Sequence, residues 1–239
     1  MAISRTPDST ALRHRKNIVG YTKKASVSGF NWLAPQFSTV GATTVDLKDI
    51  TLTGDGVGNG GESLAILDEG GAPVGDPYVF WSKDVTGEEN DCWFDFNEWA
   101  PITGVSFALG DGVMISAGDG INYTVAGEVP KVNVEFVTID GFNFTGNPFP
   151  SDIDLQNIVL SGDGVGNGGE SLAVLDEGGA PIGDPYVFWS KDVTGEENDC
   201  WFDFNEWVPI TGVTIGGGDG VLLSAAAGVT VTIKVPYTM

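Results

Sequence analysis

Histidine is the scarcest of the chemically versatile residues in this chain of 239 residues, with a single copy, His14, near the N-terminus. Catalytic triads, cysteine–histidine pairs and histidine-containing metal sites are therefore excluded from the rest of the chain. Cysteine is also scarce, and Cys92 and Cys200 occupy equivalent positions in the two copies of an internal repeat. A disulfide would have to join the two copies or two subunits, and we expect buried free thiols instead.

Long apolar runs and long helical periods are missing as well. No segment has the length of a membrane span, and residues 1–20 lack the apolar core of a signal peptide, so we expect no membrane insertion. Export would require a leader that has already been removed, or another route such as incorporation in a virion. No window combines the length and period of a helix, while 35 glycines and 12 prolines indicate many turns.

The chain does contain a long internal repeat, because residues 54–105 recur 108 positions later as residues 162–213. Only three of the 52 positions differ, each by an exchange of apolar residues: Ile66/Val174, Val74/Ile182 and Ala100/Val208. A period of this length is a common domain size. We therefore predict an N-terminal arm over residues 1–16, a first β domain over 17–130 and a second over 131–239.

Charge is distributed unevenly along the chain, whose net charge is −22. Each copy of the repeat contains eleven acidic residues and one lysine, whereas six of the eleven basic residues lie in the first 24 positions. The acidic body would repel nucleic acids and anionic membranes, so we expect neither as its partner. The arm carries Arg5, Arg13, Arg15 and Lys16, and the nearest polyanion for it is a neighbouring copy of the body. A solvated tail and a nucleic-acid-binding arm are the alternatives.

Short apolar–polar alternations between glycine-rich turns predict β-strands along the whole body. In the repeat we predict strands at Ser63–Asp68, Pro77–Ser82 and Cys92–Phe96, with an acidic loop at Lys83–Asp91. About seven or eight strands per copy predict an all-β fold, with two tandem antiparallel β-sandwich or barrel-like domains. Within the second of these strands, alternation puts Tyr78 and Phe80 on one face and Val79 and Trp81 on the other.

Four short segments carry a family resemblance: Asn17–Tyr21, Gly29–Asn31, Asn147–Phe149 and Gly127–Val129. They resemble a group of poorly characterised bacterial secreted β proteins that open with N-[IV]-V-G-Y and carry tandem G-F-N, N-P-F and G-E-V segments. The resemblance implies a tandem all-β architecture and an extracellular or cell-surface setting, with the virion surface as the alternative. It implies no activity.

One segment of the repeat has the composition of a calcium site. Gly54–Glu62 combines five glycines with three oxygen-bearing side chains, and Ca²⁺ takes six to eight oxygen ligands. The predicted ligands are Asp55, Asn59 and Glu62, repeated as Asp163, Asn167 and Glu170. The spacing is not that of an EF-hand, and the alternative is a solvated acidic turn.

Tryptophan is the other informative residue of the repeat, with Trp81, Trp93 and Trp99 in the first copy and Trp189, Trp201 and Trp207 in the second. Such residues commonly fill a core or an interface, and on some β scaffolds they stack on sugars. We predict that Trp99 and Trp207 belong to an interface, together with the basic residues of the arm.

These observations favour a non-enzymatic protein, since acidic residues are too numerous for any one pair to indicate catalysis. We expect a self-assembling subunit of an extracellular filament, tube or surface layer, joined head to tail by the basic arm and bridged by Ca²⁺. A secreted carbohydrate-binding module that binds glycans and a virion surface or fibre protein are the alternatives.

Overall fold

The computed structural model describes residues 19–237. The predicted arm lies before this range, and with it Arg5, Arg13, Arg15 and Lys16. The first half of the described chain forms ten strands: β1 (Val19–Ala25), β2 (Gly29–Leu33), β3 (Thr44–Asp46), β4 (Ile50–Thr53), β5 (Asn59–Ile66), β6 (Tyr78–Trp81), β7 (Cys92–Asp95), β8 (Ser106–Ala108), β9 (Val113–Ala117) and β10 (Asn122–Glu128).

The second half repeats this series with ten further strands: β11 (Val134–Val137), β12 (Gly141–Gly146), β13 (Ile153–Asp154), β14 (Ile158–Ser161), β15 (Asn167–Val174), β16 (Tyr186–Trp189), β17 (Cys200–Asp203), β18 (Thr214–Ile215), β19 (Gly220–Ala225) and β20 (Thr230–Ile233). Each half adds one 3-10 turn, Leu47–Asp49 or Leu155–Asn157, and one single-turn helix, α1 (Lys83–Thr86) or α2 (Lys191–Thr194). Among residues 19–237, no helix is long and apolar enough to span a membrane.

The strands of each half form two main antiparallel sheets. In the first half the sheet orders are β1-β10-β4 and β2-β9-β5-β6-β7, and the second half has the same orders in its own strands. Strands β5, β6 and β7 follow one another within one sheet, whereas the other neighbouring strands of the two main sheets come from distant parts of the sequence. This is the strand order of a jelly roll, with β7 bonded to β6 instead of joining β4. The predicted all-β antiparallel sandwich is confirmed.

Each half encloses its own hydrophobic core between its two sheets. Alternation along each strand sends every second side chain inward. Phe80 and Trp93 meet edge to face at 5.0 Å in the first core, and Phe188 and Trp201 meet at 5.1 Å in the second. The predicted division of β6 is therefore correct, since Phe80 lies in the core and Trp81 lies on the outer face.

The two halves contact each other reciprocally at the edge strands β2 and β12. The amide of Trp32 donates to the carbonyl of Glu177 at 3.0 Å, and the amide of Phe144 donates to the carbonyl of Glu69 at 2.8 Å. The two rings stack on each other with centroids 4.8 Å apart. Because Trp32 and Phe144 are equivalent, as are Glu69 and Glu177, this half-to-half contact has the reciprocity of a two-fold arrangement.

Small residues permit this close approach. A Cβ atom on Gly71 would lie 2.9 Å from Cγ of Phe144 and closer still to two other ring atoms, and Gly179 stands in the same relation to Trp32. Lys24 of the first half also forms an ion pair with Asp219 of the second.

Two local predictions need correction. The sequence predicted a strand from Ser63 onward, whereas β5 begins at Asn59, so part of the predicted calcium loop is strand. Glycine makes this possible, since a Cβ on Gly60 would lie 2.6 Å from the ring of Trp81. The predicted acidic loop contains helix α1, which is too short to leave a period in the sequence.

Candidate functional site

The predicted calcium residues hold the glycine-rich segment in place. Glu62 is 6% exposed, and its Oε2 accepts a hydrogen bond from the amide of Gly58 at 3.0 Å. The amide group of Asn59 donates to the carbonyl of Gly56 at 3.0 Å, and Asp55 is exposed to solvent. Gly58 in turn accepts from the amide of Ser82 at 2.9 Å. The glycines thus let this segment pack against the end of β6.

The second copy has the same geometry, with Glu170 bonded to the amide of Gly166 at 3.0 Å and Asn167 bonded to Gly164 at 3.0 Å. Asp163 is exposed. Across residues 19–237 no three or more acidic, histidine or cysteine side chains come together as a metal-binding group. Calcium binding stays a prediction, and the two buried glutamates already have a structural partner.

The six tryptophans of the repeat lie in three environments that the sequence did not distinguish. Trp93 and Trp201 are core residues, and the Nε1 of each donates to a backbone carbonyl of the opposite sheet at 2.7 Å. Trp81 is half-buried on the outer face. Trp99 is 62% exposed and Trp207 is 60% exposed. The two tryptophans that were predicted to belong to an interface are therefore exposed.

Trp189 and Trp207 form the wall of a surface cleft, and Trp81 and Trp99 have the equivalent arrangement in the first half. The ring centroids of Trp81 and Trp99 are 5.6 Å apart with an interplanar angle of 49°, and Trp189 and Trp207 have the same spacing and angle. In the second half this opening has a volume of about 450 Å³. We call it the tryptophan cleft; its lining in the second half is Trp189, Val193, Thr194, Glu196, Phe202, Trp207, Val208 and Pro209.

A network of hydrogen bonds holds Trp99 in position. The Oδ1 of Asp95 accepts from the amides of Asn97 and Glu98 at 2.8 and 2.9 Å, and the carbonyl of Asp95 accepts from the amide of Trp99 at 3.1 Å. Asn97 is fixed in turn by its hydrogen bond to Asp76 at 2.5 Å. The loop that carries the exposed indole is therefore built as a tight turn on the end of β7.

This turn forces a strained backbone. Trp99 has φ +50° and Trp207 has φ +55°, and among residues 19–237 they are the only residues other than glycine with positive φ. A left-handed conformation costs a residue with a Cβ about 1–2 kcal/mol. Each of these tryptophans thus has an exposed apolar side chain and an unfavourable backbone conformation.

A second unfavourable feature lies in the same cleft. Within the described part of the chain, two buried side-chain polar atoms lack a hydrogen-bond partner, and these are Nε1 of Trp81 and Nε1 of Trp189. An unsatisfied buried donor costs about 1–3 kcal/mol. Strain and unsatisfied groups concentrate at functional sites, and both copies of the repeat place them at the same position.

The chain segment that carries most of the cleft residues is acidic. Residues 83–99 contain six acidic residues and one lysine, a net charge of −5, and residues 191–207 have the same composition. Cys92 lies opposite Trp81 on the neighbouring strand, where burial raises the pKa of its thiol and the carboxylates of Glu88 and Asp91 raise it further. Cys92 and Cys200 are free, as predicted, but they are half-buried instead of buried, because each lies on an edge strand of its sheet.

Sequence reasoning did not identify the other apolar residues of this surface. Val85 is 53% exposed on helix α1, and its equivalent Val193 lines the cleft of the second half. The available signal was the position of Val85 within an acidic run, where an apolar side chain has no core to enter.

Comparison of the chain with models of protein families, with curated proteins and with solved structures finds no match.

Proposed function

We propose that the protein is a non-catalytic structural subunit that associates with further copies of itself through its two tryptophan clefts. The observation that carries this proposal is the exposure of Trp99 and Trp207 on a strained backbone, in two copies of one surface. Aromatic anchors of this kind dominate protein interfaces when they become buried. Keeping such a side chain in solvent is unfavourable unless a partner covers it.

The position of the clefts suits a bivalent subunit. β7 and β17 are edge strands of the five-stranded sheets, and the opposite edges are β2 and β12, which form the half-to-half contact. Four interstrand steps of about 4.8 Å therefore separate each cleft from that contact. A subunit with a binding surface on each far side supports growth by repeated contacts, and such growth gives a filament, tube or layer when it does not close.

Charge supports a role for a cationic linker in this assembly. A chain of net charge −22 repels its copies unless cations lie between them. The basic N-terminal arm and Ca²⁺ are the two candidates, and an extracellular or cell-surface location supplies Ca²⁺ in abundance. Membrane insertion and nucleic-acid binding by the body are not part of this proposal.

The test is the assembly state of the purified chain, measured by light scattering and electron microscopy with Ca²⁺ and with a chelator. We expect polymers whose amount rises with protein concentration. The double variant Trp99→Leu/Trp207→Leu should reduce that amount at least tenfold. The matched control is Phe30→Leu/Phe142→Leu, because these phenylalanines are 56% and 60% exposed but lie outside the clefts. A chain that remains monomeric at all concentrations and in both buffers would contradict the proposal.

A carbohydrate-binding module is the second candidate, and one observation favours it. Two adjacent indoles with one strongly exposed face offer a surface on which a sugar ring can stack, beside carboxylates that accept hydrogen bonds. Jelly rolls also occur in lectins and in viral capsids, although a fold alone does not assign a function. Glycan-array binding that is lost on Trp99→Ala/Trp207→Ala, by a chain that stays monomeric, would select this candidate.

A further inference from the structure

The tryptophan cleft has the chemistry of a receptor for a planar cation. Two indole faces meet at 49° in each cleft, and the electron-rich face of tryptophan attracts cations more strongly than that of other aromatic residues. Glu196 lines the cleft of the second half, where its carboxylate adds negative charge at the rim. This carboxylate would repel an anion, and a purely apolar group would leave it without a partner.

The chain itself contains a ligand of matching chemistry. All three of its arginines, Arg5, Arg13 and Arg15, lie in residues 1–16, which have a net charge of +3 from four basic residues and one acidic residue. Residues 191–207 have a net charge of −5. The segment that precedes β1 and the surface around the cleft are therefore complementary in charge.

We propose that the tryptophan cleft binds an arginine side chain from the N-terminal segment of a second copy of the chain. This inference rests on the proposed self-association and names the site at which it occurs. The guanidinium plane stacks on the exposed indole of Trp99 or Trp207, and its N–H groups donate to the carboxylate of Glu88 or Glu196. Burial of the exposed indole by the incoming segment offsets the backbone strain at that residue.

Arginine fits this site better than lysine does. Its guanidinium is flat, stacks on aromatic rings and presents several donors in one plane, whereas the lysine ammonium is a compact and strongly hydrated charge. A segment that binds the cleft of a second copy links the two chains, whereas a segment that binds a cleft of its own chain links nothing.

The test is fluorescence anisotropy of a labelled peptide of residues 1–18 titrated with the full-length protein. We expect saturable binding that weakens at least tenfold for Trp99→Leu/Trp207→Leu and less than twofold for Phe30→Leu/Phe142→Leu. A peptide with all three arginines replaced by glutamine should lose at least tenfold in affinity. A peptide with arginine replaced by lysine should fall between the two, because it keeps its charge and loses the stacking.

The peptide variants keep the test decisive even when a tryptophan variant folds poorly, because they leave the protein unchanged. Equal affinity of the lysine and arginine peptides, or unchanged binding by a folded Trp99→Leu/Trp207→Leu protein, would overturn the inference. If that tryptophan variant still polymerises like the wild type, the inference falls and the proposed self-assembly stands. If the peptide binds the cleft while the wild-type chain never polymerises, the recognition stands and the proposed self-assembly falls.

Discussion

Adding one methyl group at Gly71 should disturb the half-to-half contact more than adding it at Gly75. Gly71 has φ +78° and Gly75 has φ +76°, so alanine costs about 1–2 kcal/mol of backbone strain at either position. At Gly75 a Cβ would meet no atom within 4 Å, whereas at Gly71 it would overlap the ring of Phe144. That ring cannot simply turn away, because it stacks on Trp32 with centroids 4.8 Å apart.

Overpacking of this kind costs about 1–3 kcal/mol, and Gly71→Ala should therefore lose that much more stability than Gly75→Ala. For a chain of this size, each 1 kcal/mol lowers the melting temperature by about 2–4 °C. Thermal unfolding followed by circular dichroism measures the difference. Gly179→Ala and Gly183→Ala provide an independent pair, since the first would meet Trp32 and the second nothing within 4 Å.

Equal melting temperatures for Gly71→Ala and Gly75→Ala would refute the close contact between the halves. Phe144→Ala gives a further check, because removing the ring removes the atoms that the new methyl group meets. Combined with Phe144→Ala, the excess loss at Gly71 should disappear, whereas an effect confined to the turn would persist.

Three further predictions concern single side chains of the repeat. Trp93→Phe should lower the free energy of unfolding by about 1–3 kcal/mol, because the carbonyl of Ile50 loses the donor that lies 2.7 Å away; a chemical denaturation midpoint equal to that of the wild type would contradict this. Trp207→Gly should be more stable than Trp207→Ala by about 1 kcal/mol, since only glycine tolerates φ +55° without strain, and the reverse order in thermal melts would argue against strain at this position. Burial and nearby carboxylates raise the pKa of Cys92, so at any pH below that pKa its thiolate fraction is smaller than that of a free cysteine, and iodoacetamide should alkylate it more slowly. Glu88→Gln should lower the pKa and increase the alkylation rate. An unchanged rate would exclude the Glu88 carboxylate as a cause of the raised pKa.

The sequence predicted those parts of the fold that local alternation determines. The opposite faces of Phe80 and Trp81 follow from a period of two, and the repeat itself predicted two copies of one set of strands. Pairing between distant strands produces no such local pattern in the sequence. The jelly-roll order depends on strand pairings between distant positions, such as Ser63 opposite Ser116 and Val19 opposite Glu128, and the stacking joins Trp32 to Phe144 in the other half.

The candidate site was predicted in part. Trp99 is exposed, and its place in an interface stays a prediction; its separation from Trp93, six positions earlier, was not foreseen. That separation depends on Asp95, whose side chain turns the chain back after β7 and carries Trp99 out of the sheet. The role of Glu62 was also not foreseen, because a buried carboxylate that accepts a backbone N–H and one that binds Ca²⁺ occur in the same kind of glycine-rich sequence.

The reciprocal contact between the halves is the arrangement of a symmetric homodimer whose two subunits have become one polypeptide. Such a fusion removes the dependence of pairing on protein concentration, because the partner is always tethered. It also releases the contact from the requirement that both sides be identical. The pairs at its centre have diverged, Trp32 with Phe144 and Ala34 with Gly146, while the repeat that carries the clefts differs at three of 52 positions. Expressed alone, either half should expose its own side of this contact and dimerise through it.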